Sequence, residues 1–168
     1  TEDPVRTLVT LADEFDPNGN QLEVGFQEYF VERHHEVPVS AVRFEGAADA
    51  RPAPDVLRAI ECADRVVIAP SNPIVSIGPV LAIPGVTEAI SQRRDTVIAV
   101  SPIIAGSALK GPADRLLTEL GHEASVVGVA RLYAPLASTL VVDEADSDIA
   151  GSVEAEGMHC VVTPTIMS

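Results

Sequence analysis

Small hydroxyl residues flanked by proline stand directly after three short apolar runs. Pro70-Ser71-Asn72-Pro73-Ile74-Val75-Ser76-Ile77-Gly78-Pro79 follows the run through Ile68 and Ala69, Ser101-Pro102-Ile103-Ile104-Ala105-Gly106 follows Thr96 to Val100, and Thr163-Pro164 follows Cys160 to Val162. Proline fixes the backbone and removes one N–H, so such loops are stiff surfaces that present hydroxyls and the remaining amides to a ligand. Asn72 can donate and accept, which suits a purine edge or a phosphate. Gly78 allows close backbone approach, and a helical turn opening over Val80 to Ile83 would offer free N–H groups to an anion. Equally, Gly78 and Pro79 can simply punctuate a loop.

Lys110 is the sole lysine in a chain with ten arginines. It lies between Gly106 and Gly111, just before a helix start, where the helix dipole disfavours a cation unless a bound phosphate offsets it. A solvated loop lysine is the alternative. Neither a P-loop nor a G-x-G-x-x-G fingerprint occurs, and no G-x-S-x-G elbow or Ser-His-Asp arrangement can be assembled. His34, His35, His122 and His159 lack metal-ligand spacing. Asp143, Glu144, Asp146 and Asp148 lack the calcium-loop glycine and read as a solvated acidic turn capping a helix that opens at 146. Cys62 and Cys160 read as reduced, mostly buried thiols.

The elements that must position these loops follow from hydrophobic patterning. Val5 to Leu11 and Leu22 to Val31 alternate around Asp16-Pro17-Asn18-Gly19-Asn20 and predict an antiparallel hairpin, with a further strand from Val39 to Phe44. Helices are predicted over 54–63, with Val56, Leu57 and Ile60 on one face, and over 86–94, 113–120, 126–133 and 146–156. Three β-branched runs, each preceded by a helical segment, predict strands buried on both faces of a parallel sheet. The expected class is therefore α/β, a doubly wound, Rossmann-like and mostly parallel sheet with the hairpin at its side. The 168 residues are expected to form one domain, with 1–45 as hairpin and side strand and 54–168 as the alternating, nucleotide-handling part. In such sheets ligands bind beyond the carboxyl ends of the strands, where the hydroxyl-proline loops stand. The absence of an initial Met and the bare final strand suggest a piece of something longer.

The net charge of −14, with 25 acids, disfavours nucleic acid as a partner and suggests a surface suited to high salt. No apolar run is long enough to span a bilayer and no signal-peptide pattern opens the chain, so no membrane partner and a cytoplasmic location are expected.

The two loops together, Ser71 through Gly85 and Ser101 through Gly106, followed by Leu109-Lys110-Gly111 and Ala113-Asp114, resemble the 2-phospho-L-lactate transferases (CofD-type). The segment Phe26-Gln27-Glu28-Tyr29-Phe30-Val31 looks like another motif of that family, and the resemblance covers essentially the whole chain. It implies transfer of a 2-phospholactyl group, or in some relatives a phosphoenolpyruvyl group, from lactyl-diphospho-guanosine to the deazaflavin Fo. GMP is released, as a step of coenzyme F-420 biosynthesis, with Mg²⁺ required and a homodimer expected. Ser71, Asn72, Pro73, Ser76, Gly78, Ser101, Pro102 and Lys110 are the implied nucleotide and diphosphate contacts, with Gln27 and Glu28 on the substrate side. The family's glycine-rich N-terminal segment and its Mg²⁺-holding acids have no counterpart in this sequence. The alternative is a non-enzymatic nucleotide-sugar-binding regulator of the gluconeogenesis-factor type, which typically carries Gly-Pro-Gly-Ser where Ser71-Asn72-Pro73 stands here.

Overall fold

Short β-branched runs flanked by helices do form one parallel sheet in the computed structural model, which describes residues 1–108 and 112–166. The strands β4 (Val66–Ile68), β5 (Val97–Val100), β8 (Thr139–Val142) and β9 (His159–Val162) lie in that order. Their registers are parallel throughout, Val66 opposite Val97, Ala99 opposite Leu140 and Val141 opposite Val161. Val97, Ala99, Leu140 and Val142 are buried but alternate along their strands, so they form one face of the sheet. The other face is only partly covered, with Val67 61% exposed, and the strands are not buried on both faces as the sequence suggested. The central strand β8 escaped the sequence reading, although Leu140-Val141-Val142 is an apolar run of the same kind as its neighbours.

The covering helices are α1 (Val56–Cys62), α2 (Gly78–Leu81), α3 (Val86–Ser91), α4 (Ala113–Glu119), α5 (Val126–Tyr133) and α6 (Ala150–Ala155). Helix α5 has the expected bounds, because the Ser125 hydroxyl caps it by accepting from the Gly128 amide at 3.0 Å while Val126, Val129, Ala130 and Tyr133 turn inward. The helix expected over 146–156 is divided. Residues Glu144–Ile149 form a tighter 3₁₀ run, and the α-helix begins only at Ala150.

A second, antiparallel sheet has the order β2 (Gln21–Gly25), β1 (Arg6–Phe15), β3 (Val39–Glu45). The second strand is shorter than the Leu22-to-Val31 pattern suggests. After Gly25 the chain enters a helical turn, of wide π type over Glu28–Glu32, which buries Tyr29 completely. Phe26, Tyr29 and Phe30 have helical, not alternating, spacing, and Phe26 lies 6.4 Å from Tyr29 and 5.6 Å from Phe30 between ring centroids.

This sheet packs on Leu116 and Leu120 and on Val75, which carry its core across to the parallel-sheet part. Polar bonds fix the same junction. Arg115 donates to the Tyr29 hydroxyl at 2.6 Å and to the Val37 carbonyl at 3.1 Å, and pairs with Glu119 at 2.8 Å, while Glu119 accepts from the Val39 amide at 2.9 Å. Among the described residues no helix is long and apolar enough to cross a membrane.

Candidate functional site at the carboxyl edge of the parallel sheet

Because all four strands run the same way, the segments after β4, β5, β8 and β9 emerge along one edge. The hydroxyl-proline loops after β4 and β5 therefore leave adjacent strands, while Thr163-Pro164 leaves β9, two strands from β5 along the same edge.

After β4, Asn72 organises the turn. Its Oδ1 accepts from the amides of Ile74 (2.9 Å) and Val75 (3.2 Å), and its carbonyl accepts from Ser76 (3.1 Å) and Ile77 (3.0 Å), so Pro73–Ile77 closes as a wide helical turn. The side-chain oxygen is spent on this cap. Only the Nδ2 donors of Asn72 remain for a ligand. Pro73 is buried beneath the turn, whereas the Ser71 and Ser76 hydroxyls carry no side-chain hydrogen bond among the described residues.

Gly78 does not open a helix with free amides, contrary to the anion-site expectation. It continues the Pro73–Ile77 turn into α2, and its N–H donates to the Pro73 carbonyl. The residue is glycine for space instead: its φ of −50° is ordinary, but a Cβ would meet Cζ of Phe44 at 2.8 Å. The ring of Phe44, on β3, thus rests against the backbone of the Asn72 turn.

After β5, the Ser101 hydroxyl is buried and satisfied locally, donating to the Ile103 carbonyl at 2.9 Å and accepting from the Ile103 amide at 3.2 Å. Ser101 therefore shapes this loop. Pro102 leads into a small hairpin, β6 (Ile103–Ile104) and β7 (Ser107–Ala108), turned by Ala105 and Gly106, both at positive φ. Lys110 lies outside the described residues.

After β8 come the acids, and they are not a solvated turn. Asp143 and Asp146 are both buried, while Glu144 and Asp148 face solvent. Asp143 caps the 3₁₀ run through the Ala145 amide (3.1 Å) and accepts from the amide (2.8 Å) and hydroxyl (3.0 Å) of Thr165, beyond β9. The Thr165 and Ala145 amides hold its carboxyl below the usual range. Asp146 accepts from the Ala105 amide. These two side chains tie three of the four edge segments together. Their pattern of acids two or three apart carries no signal that separates a buried clamp from a charged turn.

Gln27 and Glu28 lie on the helical turn after β2, not on a strand. Gln27 is exposed, and Glu28 accepts from Arg33 at 3.2 Å. Among the histidines, His35 stacks on Phe30 at 5.0 Å between centroids, and His122 borders a cavity between β3, the turn after β4 and the turn after α4. Cys62 is exposed and Cys160 partly so, correcting the expectation of buried thiols. No group of three His, Cys, Asp or Glu side chains suited to a metal ion occurs among the described residues, and the buried carboxylates at this edge are spent on backbone amides. Among the described residues Mg²⁺ finds no ligand set there.

Comparison with known proteins places this architecture. Residues 1–163 match the family described as "2-phospho-L-lactate transferase CofD". A phosphoenolpyruvate transferase of Kitasatospora aureofaciens is 42% identical, with 100% of this chain aligned to 51% of the relative. A 2-phospho-L-lactate transferase of Methanothermobacter thermautotrophicus is 43% identical over 86% of this chain and 46% of its own length. The chain spans about half the length of the curated relatives it matches. A solved Bacillus halodurans protein of the UPF0052 family superposes with a TM-score of 0.57 at 16% identity, covering 98% of this chain and 53% of that one, which is likeness of fold.

Proposed function

Since the chain belongs to the 2-phospho-L-lactate transferase CofD family, we propose that it is the nucleotide-handling half of a transferase acting on a guanosine-diphospho-lactate or related phosphoenolpyruvyl donor. In the proposed reaction a hydroxyl of the deazaflavin Fo attacks the phosphorus that bears the lactyl group. The new O–P bond forms as the anhydride bond breaks, GMP leaves, and the hydroxyl proton passes to a base or to water. Coenzyme F-420 biosynthesis is the setting this reading gives. Chemistry of this kind needs positioned donors and compensating charge, not a covalent nucleophile.

The observation that carries the proposal is the edge itself. Four parallel strands deliver the Ser71–Ser76 turn, the 103–108 hairpin and the Asp143 turn to one side, with the Ser71 and Ser76 hydroxyls and the Asn72 amide left to donate. No arginine occurs within 69–78, 101–108, 143–149 or 163–166. Charge for a diphosphate at this edge is accordingly assigned to Lys110. A homodimer belongs to the same reading.

Thermal unfolding in the presence of GDP with Mg²⁺, in molar KCl so that the acidic chain is screened, tests it. Binding to the native state alone adds about 2.7 kcal/mol at a hundredfold excess over Kd. A rise in Tm with GDP is expected. A rise only with UDP-N-acetylglucosamine would move the chain to the regulator class.

A further inference from the structure

We propose that Asp146 is a positioning residue of the nucleotide site, acting through the Ala105 amide to hold the 103–108 hairpin in its binding conformation. This role rests on the transferase reading and gives one part of that site its shape before a ligand arrives.

The tip of the hairpin is built against local preference. Ala105 and Gly106 both hold positive φ, +49° and +79°, and two-residue turns of this hand favour asparagine or glycine in the first place. Alanine is strained there and has no polar side chain to brace the turn. Asp146 supplies what the local sequence lacks. It stands at a break in the 3₁₀ run, with φ −108° and ψ 18°, and its two carboxylate oxygens accept the N–H of Ala105 from 41 residues away.

The position of Asp146 is itself unfavourable. The residue is 6% exposed, and no arginine, lysine or histidine pairs with it among the described residues. A buried carboxylate without a counter-charge is disfavoured, and a glycine in place of Ala105 would give the same turn with no clamp. What the clamp adds is dependence: the hairpin after β5 takes its shape from the turn after β8. Strain held by a distant group in this way points to a segment whose conformation matters to a ligand. Ala105, Gly106 and Ser107 are exposed, and the Gly106 amide and Ser107 hydroxyl make no hydrogen bond among the described residues. Donors on a turn at positive φ are of the kind that anions take. The same hairpin leads in sequence toward Lys110.

GDP affinity separates positioning from support of the fold. GDP with Mg²⁺ in molar KCl is titrated by calorimetry into the full chain and its variants, well below each Tm. Loss of a clamp that leaves about a tenth of the hairpins in the binding conformation weakens GDP about tenfold. Asp146→Ala is expected to show a loss of that order, and Asp146→Asn, which keeps an acceptor but not the charge, a smaller one. Adding Ala105→Gly to Asp146→Ala lets the turn hold positive φ without strain and should restore affinity to within about threefold of the wild type. Wild-type GDP affinity in both single variants overturns the proposal, and faster amide exchange at Ala105 and Gly106 in them would then show that the clamp serves the fold alone. Affinity that stays low in a folded double variant also overturns it, since Asp146 would be acting by a route other than Ala105. Both results leave the transferase reading standing, because the wild type binds GDP in each. If the wild type binds no GDP, that reading and this role fall together.

Discussion

Asp146 accepts the Ala105 amide through both carboxylate oxygens, each at 3.1 Å, bridging the turn after β8 to the hairpin after β5. Ala105 holds φ at +49°, a left-handed conformation that a residue with a Cβ rarely adopts, so the hairpin needs this external support. Asp146→Ala removes the charged acceptor and leaves a part-buried N–H unpaired, and should cost about 1–3 kcal/mol. Urea unfolding gives the cost, and amide exchange at Ala105 and Gly106 should accelerate. Unchanged exchange there would show that the hairpin stands without the clamp.

Asp143 makes the folded state sensitive to acid. Its carboxyl is held below the ordinary carboxylate range, first by the Thr165 amide and then by that of Ala145. A lowered folded pKa means that the stabilisation is present above the unfolded pKa of about 4 and is lost as pH falls through the folded value. Asp143→Asn should therefore lower Tm at neutral pH and flatten its decline below about pH 4. Parallel Tm–pH curves for the two proteins would refute this assignment.

Arg115 fastens the antiparallel sheet to α4 through Tyr29 and Val37. Its contact with Glu119 at 2.8 Å is an ion pair rather than an aligned hydrogen bond. Arg115→Met keeps the aliphatic stem but removes the donor to the Tyr29 hydroxyl and the partner charge of Glu119, and should cost about 1.5–3 kcal/mol, the range for hydrogen bonds to charged groups. Denaturant titration followed by tyrosine emission reports both the loss and the exposure of Tyr29.

Tyr133 points the other way. It is buried at the end of α5, and its hydroxyl has no partner among the described residues. Burial raises its pKa, so the phenol stays neutral. Tyr133→Phe removes a buried polar atom without emptying the site and should be neutral or stabilising by up to about 1 kcal/mol. A clear loss of stability in the urea midpoint would reveal a bonding partner for the hydroxyl.

What the sequence determined by itself was local and periodic. The β-branched runs at Val66–Ile68, Val97–Val100 and His159–Val162, the capped helix from Val126 and the proline-bearing loops follow from spacing and residue type, and those suffice for a parallel α/β sheet with its loops on one edge. The combination of the Ser71 and Ser101 loops was specific enough to indicate the family that the comparisons show.

Tertiary structure decided which polar groups are already used. Whether the oxygen of Asn72 faces a ligand or caps Ile74 and Val75, and whether Ser101 is free, depends on backbone geometry that residue type does not encode. Asp146 meets Ala105 from 41 residues away and Asp143 meets Thr165 from 22, so their burial could not be read from an acidic run. Gly78 is glycine because Phe44 arrives from another sheet. Burial and hydrogen bonding are properties of pairs brought together by the fold, while periodicity belongs to one segment, and that difference separates what was legible from what was not.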